Sequence, residues 1–212
     1  MTRSLTSLVS LLMLVACAPP GVSVGVPTAA SVAVQPGDLP SGMHRCSISG
    51  DINTYLDNLK TKDPATYTST KAQWDDAQTK GATATQVTFY TDSEANCASV
   101  ASTVFNISAA TYKLVVNFVV QFKDEAGAAN GYTNGQIFGI DRAMLKANGA
   151  PVTEGSKTGL GPNSIALSTT ILAQSFYIAV WQNKAFMVIL GIINFDSATG
   201  QKVADAENKR IK

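Results

Sequence analysis

From Thr111 to Phe122 the sequence alternates without a break. Tyr112, Leu114, Val116, Phe118, Val120 and Phe122 fall on one face; Thr111, Lys113, Val115, Asn117, Val119 and Gln121 fall on the other. Successive side chains of a strand point to opposite sides, so a period of two sustained this long specifies a β-strand. One face is wholly apolar and the other mixed, which predicts a sheet whose better-buried side lies against helices.

The flanking sequence supplies both. Ile52, Tyr55, Leu56 and Leu59 are spaced i, i+3, i+4, i+7 and predict a helix, with Ser49 or Asp51 as its cap and Pro64 as its stop. A second helix follows from about Ala65 to Lys80, with Tyr67 and Trp74 on its core stripe and Gly81 at the position that ends it. Gln86–Thr91 alternates and reads as a strand. Asp92 or Ser93 then caps a short helix through Cys97 and Ala101. Lys123 to Asn134 is helical in composition, although Gly127 and Gly131 interrupt it, and the Asn-Gly pairs at 130, 134 and 148 mark turns or helix ends. Ile137 to Leu145 suggests another helical piece. The glycines and prolines between Ala150 and Asn163 predict an irregular loop bordering a cleft.

Ile165-Ala166-Leu167 starts a strand, and Phe176–Trp181 with Ala185–Asn194 forms a hairpin turning at Gln182-Asn183-Lys184. Asp196 or Ser197 caps a terminal helix ending near Arg210. Strands joined by a tight turn pair antiparallel. The expected fold class is therefore α+β, a twisted, mainly antiparallel sheet of about five to six strands with helices packed on it.

The start of the chain is not part of that domain. Met1-Thr2-Arg3 carries one positive charge, Leu5 to Val15 is apolar, and small residues follow: the layout of a secretory signal peptide. The apolar core is about half the roughly 20 residues a transmembrane helix needs. Leu14-Val15-Ala16-Cys17 resembles the lipobox of bacterial lipoproteins. That resemblance implies a signal peptide over 1–16, cleavage before Cys17 and acylation of its thiol, two or more chains giving stable anchoring. Plain secretion with an incidental Cys17 is the alternative. Residues 18–42, rich in Pro, Gly, Ser, Val and Ala with Asp38 as the one charge, read as a flexible tether. The expected organisation is a lipidated N-terminus and tether over 17–42 and a single domain over 43–212.

With Cys17 assigned to lipid, Cys46 and Cys97 remain, and an even count in an exported chain reads as one disulfide. It would close a loop of about 50 residues, worth on the order of 4 kcal/mol in the chain-entropy model. Two separate buried thiols are the alternative. Sixteen basic residues stand against fifteen acidic ones, so no basic field favours nucleic acid.

Three pieces resemble exported actinobacterial-type lipoproteins and the extracellular sensor domains of some bacterial serine/threonine kinases. They are Asp38-Leu39-Pro40-Ser41-Gly42, the strand Tyr112–Phe122 running into Lys123-Asp124-Glu125-Ala126, and Thr158-Gly159-Leu160-Gly161 before the last strands. In those domains an acidic residue follows the Gly-Leu-Gly turn; here Pro162-Asn163 stands there, and the kinase sensors' second disulfide is missing. The resemblance implies an antiparallel sheet sandwiched with helices, broadly PsbP-like, and carries over no functional residues.

Catalytic chemistry finds little to build on. His44 is the only histidine, and no Gly-x-Ser-x-Gly elbow accompanies it. Asp75-Asp76 and Asp124-Glu125 are adjacent, which on a helix points them apart. Gly159-Leu160-Gly161 lacks the further glycine and lysine of a phosphate loop, and Asn194-Phe195-Asp196-Ser197 lacks the ligands of a calcium loop. The sequence thus predicts no enzyme, no cofactor and no metal site. It predicts a lipid-anchored extracytoplasmic binding or sensor-like module of the bacterial cell envelope, joined to the membrane through Cys17 and to no nucleic acid. An accessory subunit of an envelope complex, with the apolar hairpin 176–194 as its interaction surface, is the second reading. A hydrolase using His44 is the third, and it would need a carboxylate and a serine beside that ring.

Overall fold

The computed structural model describes residues 25–102, 110–135, 140, 142–147 and 150–211. Cys17 and the expected signal peptide lie outside the described residues, as do most of 136–141 and the Asn148-Gly149 pair. The strand specified by the long alternation is β4 (Leu114–Phe122), central in an antiparallel sheet. It pairs with β3 (Ala82–Thr91) on one side and β8 (Phe186–Ile193) on the other. Beyond β8 come β7 (Gln174–Asn183), β6 (Ser164–Ile171) and β5 (Val152–Glu154); β1 (His44–Arg45) and β2 (Gly50–Asp51) both pair with β3. The class is α+β as expected. The sheet has eight strands rather than five or six, because two-residue β1 and β2 and three-residue β5 are too short to show a period.

The first face of the sheet is apolar. Val87 and Phe89 of β3, Leu114 through Phe122 at every second position of β4, and Met187, Ile189 and Ile193 of β8 join one apolar cluster. It is covered by α2 (Ile52–Lys62), α3 (Pro64–Thr79), α4 (Glu94–Ser102), α5 (Glu125–Asn134) and α6 (Arg142–Ala147). Their ends follow the expected chemistry. Asp51 accepts the Thr54 N–H, Asp63 that of Thr66 and Asp124 that of Gly127, and Pro64 opens α3 where a missing N–H costs nothing. Tyr55 stacks on Phe89 at 5.8 Å between ring centres and meets Phe118 edge-on at 5.9 Å. The Asn130-Gly131 pair does not break α5. Gly131 sits where a Cβ would stand 2.7 Å from the Phe122 ring, so the glycine is there to let the helix approach the sheet.

The second face is covered by α7 (Ser197–Arg210), capped by Asp196, and by a segment expected to be tether. Beyond Thr28 that expectation fails. Ala29, Val32, Ala33, Val34 and Leu39 are all buried, in a cluster with Val115, Val119, Trp181, Leu190 and Val203. The segment comprises a short helix α1 (Ala29–Val32) and a tight turn at Pro36–Asp38. Its alternating valines and alanines are apolar enough to fill the space beside α7, and composition alone hid that role. The folded domain begins before residue 43. We call residues 29–39 the strap.

Two further expectations are corrected. The loop 150–163 is not wholly irregular: it contains β5 and a turn at Gly155–Thr158. Gly159 and Gly161 then take φ of 79° and 115°, which explains why that motif is written in glycines. The β7–β8 ladder runs on to Asn183–Phe186, so the chain reverses at Lys184-Ala185, with Lys184 at φ 47°.

Candidate functional site

β1 lays Arg45 beside Tyr90, and the Cys46 N–H donates to the Phe89 carbonyl at 2.8 Å. Across from it, the Ser93 hydroxyl accepts the Asn96 N–H and starts α4, whose first turn carries Glu94 and Cys97. Cys46 and Cys97 are joined in a disulfide across 51 residues of sequence, which ties β1 to α4. Thr91 Oγ1 lies 3.2 Å from the Cys97 sulfur and donates to the Ser93 carbonyl.

Beside this bond opens a cavity of 670 Å³, lined by Arg45, Cys46, Ser47, Lys62, Glu94, Cys97, Ala98 and Ala101. Two cations and a hydroxyl face one carboxylate over a small-residue wall. That donor set suits an anionic group better than a cation. Two smaller cavities meet at Thr153 and Lys157: one of 320 Å³ with Thr158, Ser168, Tyr177, Ser197 and Gln201, and one of 550 Å³ with Lys146, Val152 and Glu154. They place a cleft at the predicted loop. Burial pushes the Tyr177 phenol up, and its hydroxyl hydrogen-bonds Gln201 Oε1 at 3.1 Å, while Gln201 Nε2 donates to the Thr158 carbonyl. Tyr177 is thus a structural post between sheet and α7, with its proton retained.

Under the strap lies a polar group of a different kind. Asn117, fully buried at mid-β4, accepts the Val34 N–H at 3.0 Å and the Thr88 hydroxyl at 3.3 Å on its oxygen. Its amide donates to Glu207 Oε1 of α7 at 2.9 Å. Tyr90 donates to the Val34 carbonyl. Arg210 donates to the carbonyls of Val32 and Ala33 and grips Asp38 with two 2.8 Å bonds. Burial holds the Glu207 carboxyl well above the usual carboxylate range; the Asn117 bond and the Arg210 charge pull the other way with less weight. Burial thus favours the protonated form of Glu207, whose Oε2 is unpartnered.

The residues singled out in the sequence are scattered. His44 is exposed on β1. Asp75 and Asp76 pair with Lys71 and Lys80 on the outer face of α3, and Asp124 caps α5. Among the described residues no three His, Cys, Asp or Glu side chains are grouped to hold a metal ion, and no helix is long and apolar enough to cross a membrane. The hairpin 176–194 is the centre of the sheet: Trp181 is 0% and Met187 1% exposed, so these two side chains offer nothing to a partner. Sequence reasoning missed Arg45, Lys62 and Glu94, which carry no local signal, and Asn117 and Glu207. Of the last two, Asn117 left one trace, a lone amide among the valines of β4.

No protein-family model matches the chain, and no curated protein matches it. Among solved structures it is similar to the extracellular domain of PknH from Mycobacterium tuberculosis. The sequences are 12% identical, the alignment covers 86% of this chain and 94% of that one, and the TM-score is 0.48. A likeness of that degree decides neither ligand nor activity.

Proposed function

We propose that the chain is a lipid-anchored extracytoplasmic binding module, held by acyl chains on Cys17, that presents the cavity beside the Cys46–Cys97 bond to an anionic ligand. The observation that carries this reading is the course of the strap. Its start is bonded at the lower end of β4, where the Ala29 N–H donates to Gln121. It passes Asn117 at mid-strand and reaches β1, where His44 lies against Thr91 at the Leu114 end. The anchored end and the cavity therefore lie towards opposite ends of the sheet, about 25 Å apart along a strand of this length. Cys17 precedes Ala29 by twelve residues, which keeps the lipid within about 40 Å of the lower end even at full extension. A disulfide in a chain with an export signal belongs to an oxidising compartment.

Globomycin should make uncleaved precursor accumulate, and Cys17→Ser should abolish partition into detergent; unchanged membrane retention of that variant would sink the anchor. For the cavity, a panel of anionic envelope fragments should raise the melting temperature of the protein, and Arg45→Ala with Lys62→Ala should remove the shift. A shift that survives both substitutions assigns the ligand to another surface.

A further inference from the structure

The β5 edge of the sheet is only half closed. β5 pairs with Ile165–Leu167 of β6, and among the described residues no strand pairs with Ser168–Ile171 on that side. The β6–β7 ladder closes at Ile171–Gln174 on a two-residue turn. In an antiparallel ladder of that register Thr169 and Ile171 direct their backbone groups to β7, and the N–H and C=O of Ser168 and Thr170 face outward. Natural sheets blunt such edges with lysine, proline or a bulge. None is found here: residues 168–176, Ser-Thr-Thr-Ile-Leu-Ala-Gln-Ser-Phe, carry no charge and no proline.

The turn beside the edge is also unusual. Leu172 and Ala173 adopt φ of 50° and 68°, the left-handed pair that Asn-Gly ordinarily supplies. Leu172 is 95% exposed and Ile171 56%. The chain thus holds two bulky apolar side chains in water at the tip of an open edge, in a backbone conformation that leucine disfavours.

We propose that this edge pairs with the same edge of a second copy of the chain, antiparallel about a two-fold axis at Thr170. A two-fold contact sets a segment against itself, so a charge on the axis would meet its like and any other charge would be present twice across the contact. The uncharged run 168–176 is what admits a second copy. Centred on Thr170, the register sets Thr169 against Ile171 of the other copy and Ser168 against Leu172, pairing β-branched side chains and covering the tip. The overlap stops short of Leu167, where β5 begins its own pairing. The contact is small, so the dimer is weak and concentration-dependent. It stands independently of the anchor and of the cavity.

Paired at Thr170, the two Cα atoms lie about 5.5 Å apart, within disulfide reach. In the full chain expressed with its own signal segment, Thr170→Cys should give a dimer on a non-reducing gel that a reductant collapses. Thr61→Cys, exposed on α2, should not. Adding Leu172→Lys to Thr170→Cys should cut the dimer yield several-fold at unchanged protein level, since this exposed side chain supports nothing in the monomer. Absence of the Thr170→Cys dimer, equal cross-linking through Thr61→Cys, indifference to Leu172→Lys, or cross-linking only to a different protein would each overturn the proposal.

Discussion

The two faces of the sheet are built on different principles. Under α2–α6 the contact is aromatic and aliphatic, with Tyr55, Phe89 and Phe118 at its centre. Under the strap and α7 an equally closed face holds Asn117, Thr88 and Glu207. An apolar layer accepts many neighbours of about the right size, whereas a buried amide with paired donors and acceptors accepts one register. The first face supplies stability. The second decides where a weakly patterned segment is allowed to lie.

That contrast can be broken at one position and the next. Phe118→Ala should cost about 3–5 kcal/mol and lower the melting temperature of the whole domain in one cooperative step. Asn117→Ala, its neighbour on the opposite face, removes less volume but leaves the Val34 N–H and Glu207 without partners, at about 1–3 kcal/mol for each stranded group. Its signature should be local as well: amides of residues 29–38 should exchange faster than those of β8, as read by hydrogen exchange. Equal exchange across both would mean that the strap is held by its apolar contacts alone.

Glu207 sharpens the comparison through pH. Below the usual carboxylate value of 4.5 it is protonated in both folded and unfolded chains. Above that value the unfolded chain ionises while the buried carboxyl does not, so stability falls as pH rises, by at most about 1.4 kcal/mol per unit, until the folded group titrates. The charged groups that face it are Arg210, which works against this rise and is itself paired with Asp38, and Asp38, which reinforces it. Glu207→Gln keeps an acceptor for Asn117 and should flatten the decline above pH 4.5 in thermal melts; an unchanged profile would assign the decline elsewhere. The smallest effect lies outside both faces. Leu172→Asn with Ala173→Gly should stabilise the domain by about 1 kcal/mol, because both residues suit a positive φ.

What the sequence showed and what it hid follow from the same physics. The periods of α2, β4 and the last hairpin were legible because one apolar face repeats over several turns or pairs. Asp51, Asp63, Asp124 and Asp196 mark helix starts through a local bond, and two of them, Asp51 and Asp196, were each readable as one of two candidate caps before any fold was known. The strap was not legible: Ala, Val, Gly and Pro read as a linker unless one knows that α7 leaves a groove beside Asn117. The β6–β7 reversal at Leu172-Ala173 was invisible because neither residue is a turn former. The cavity beside the disulfide draws Arg45, Lys62 and Glu94 from three elements, a juxtaposition with no signature along the chain.

The bonds from Arg210 to Val32, Ala33 and Asp38 also impose an order in time. They join positions 172 to 178 residues apart, and Glu207 closes the network under Val34 through Asn117. Residues 29–39 leave the ribosome well before their partners on α7. The segment can bond to Tyr90, Asn117 and Gln121 earlier, but the grip of Arg210 must wait until α7 has been made. The lock on the segment that opens the domain is thus set by the helix that closes it.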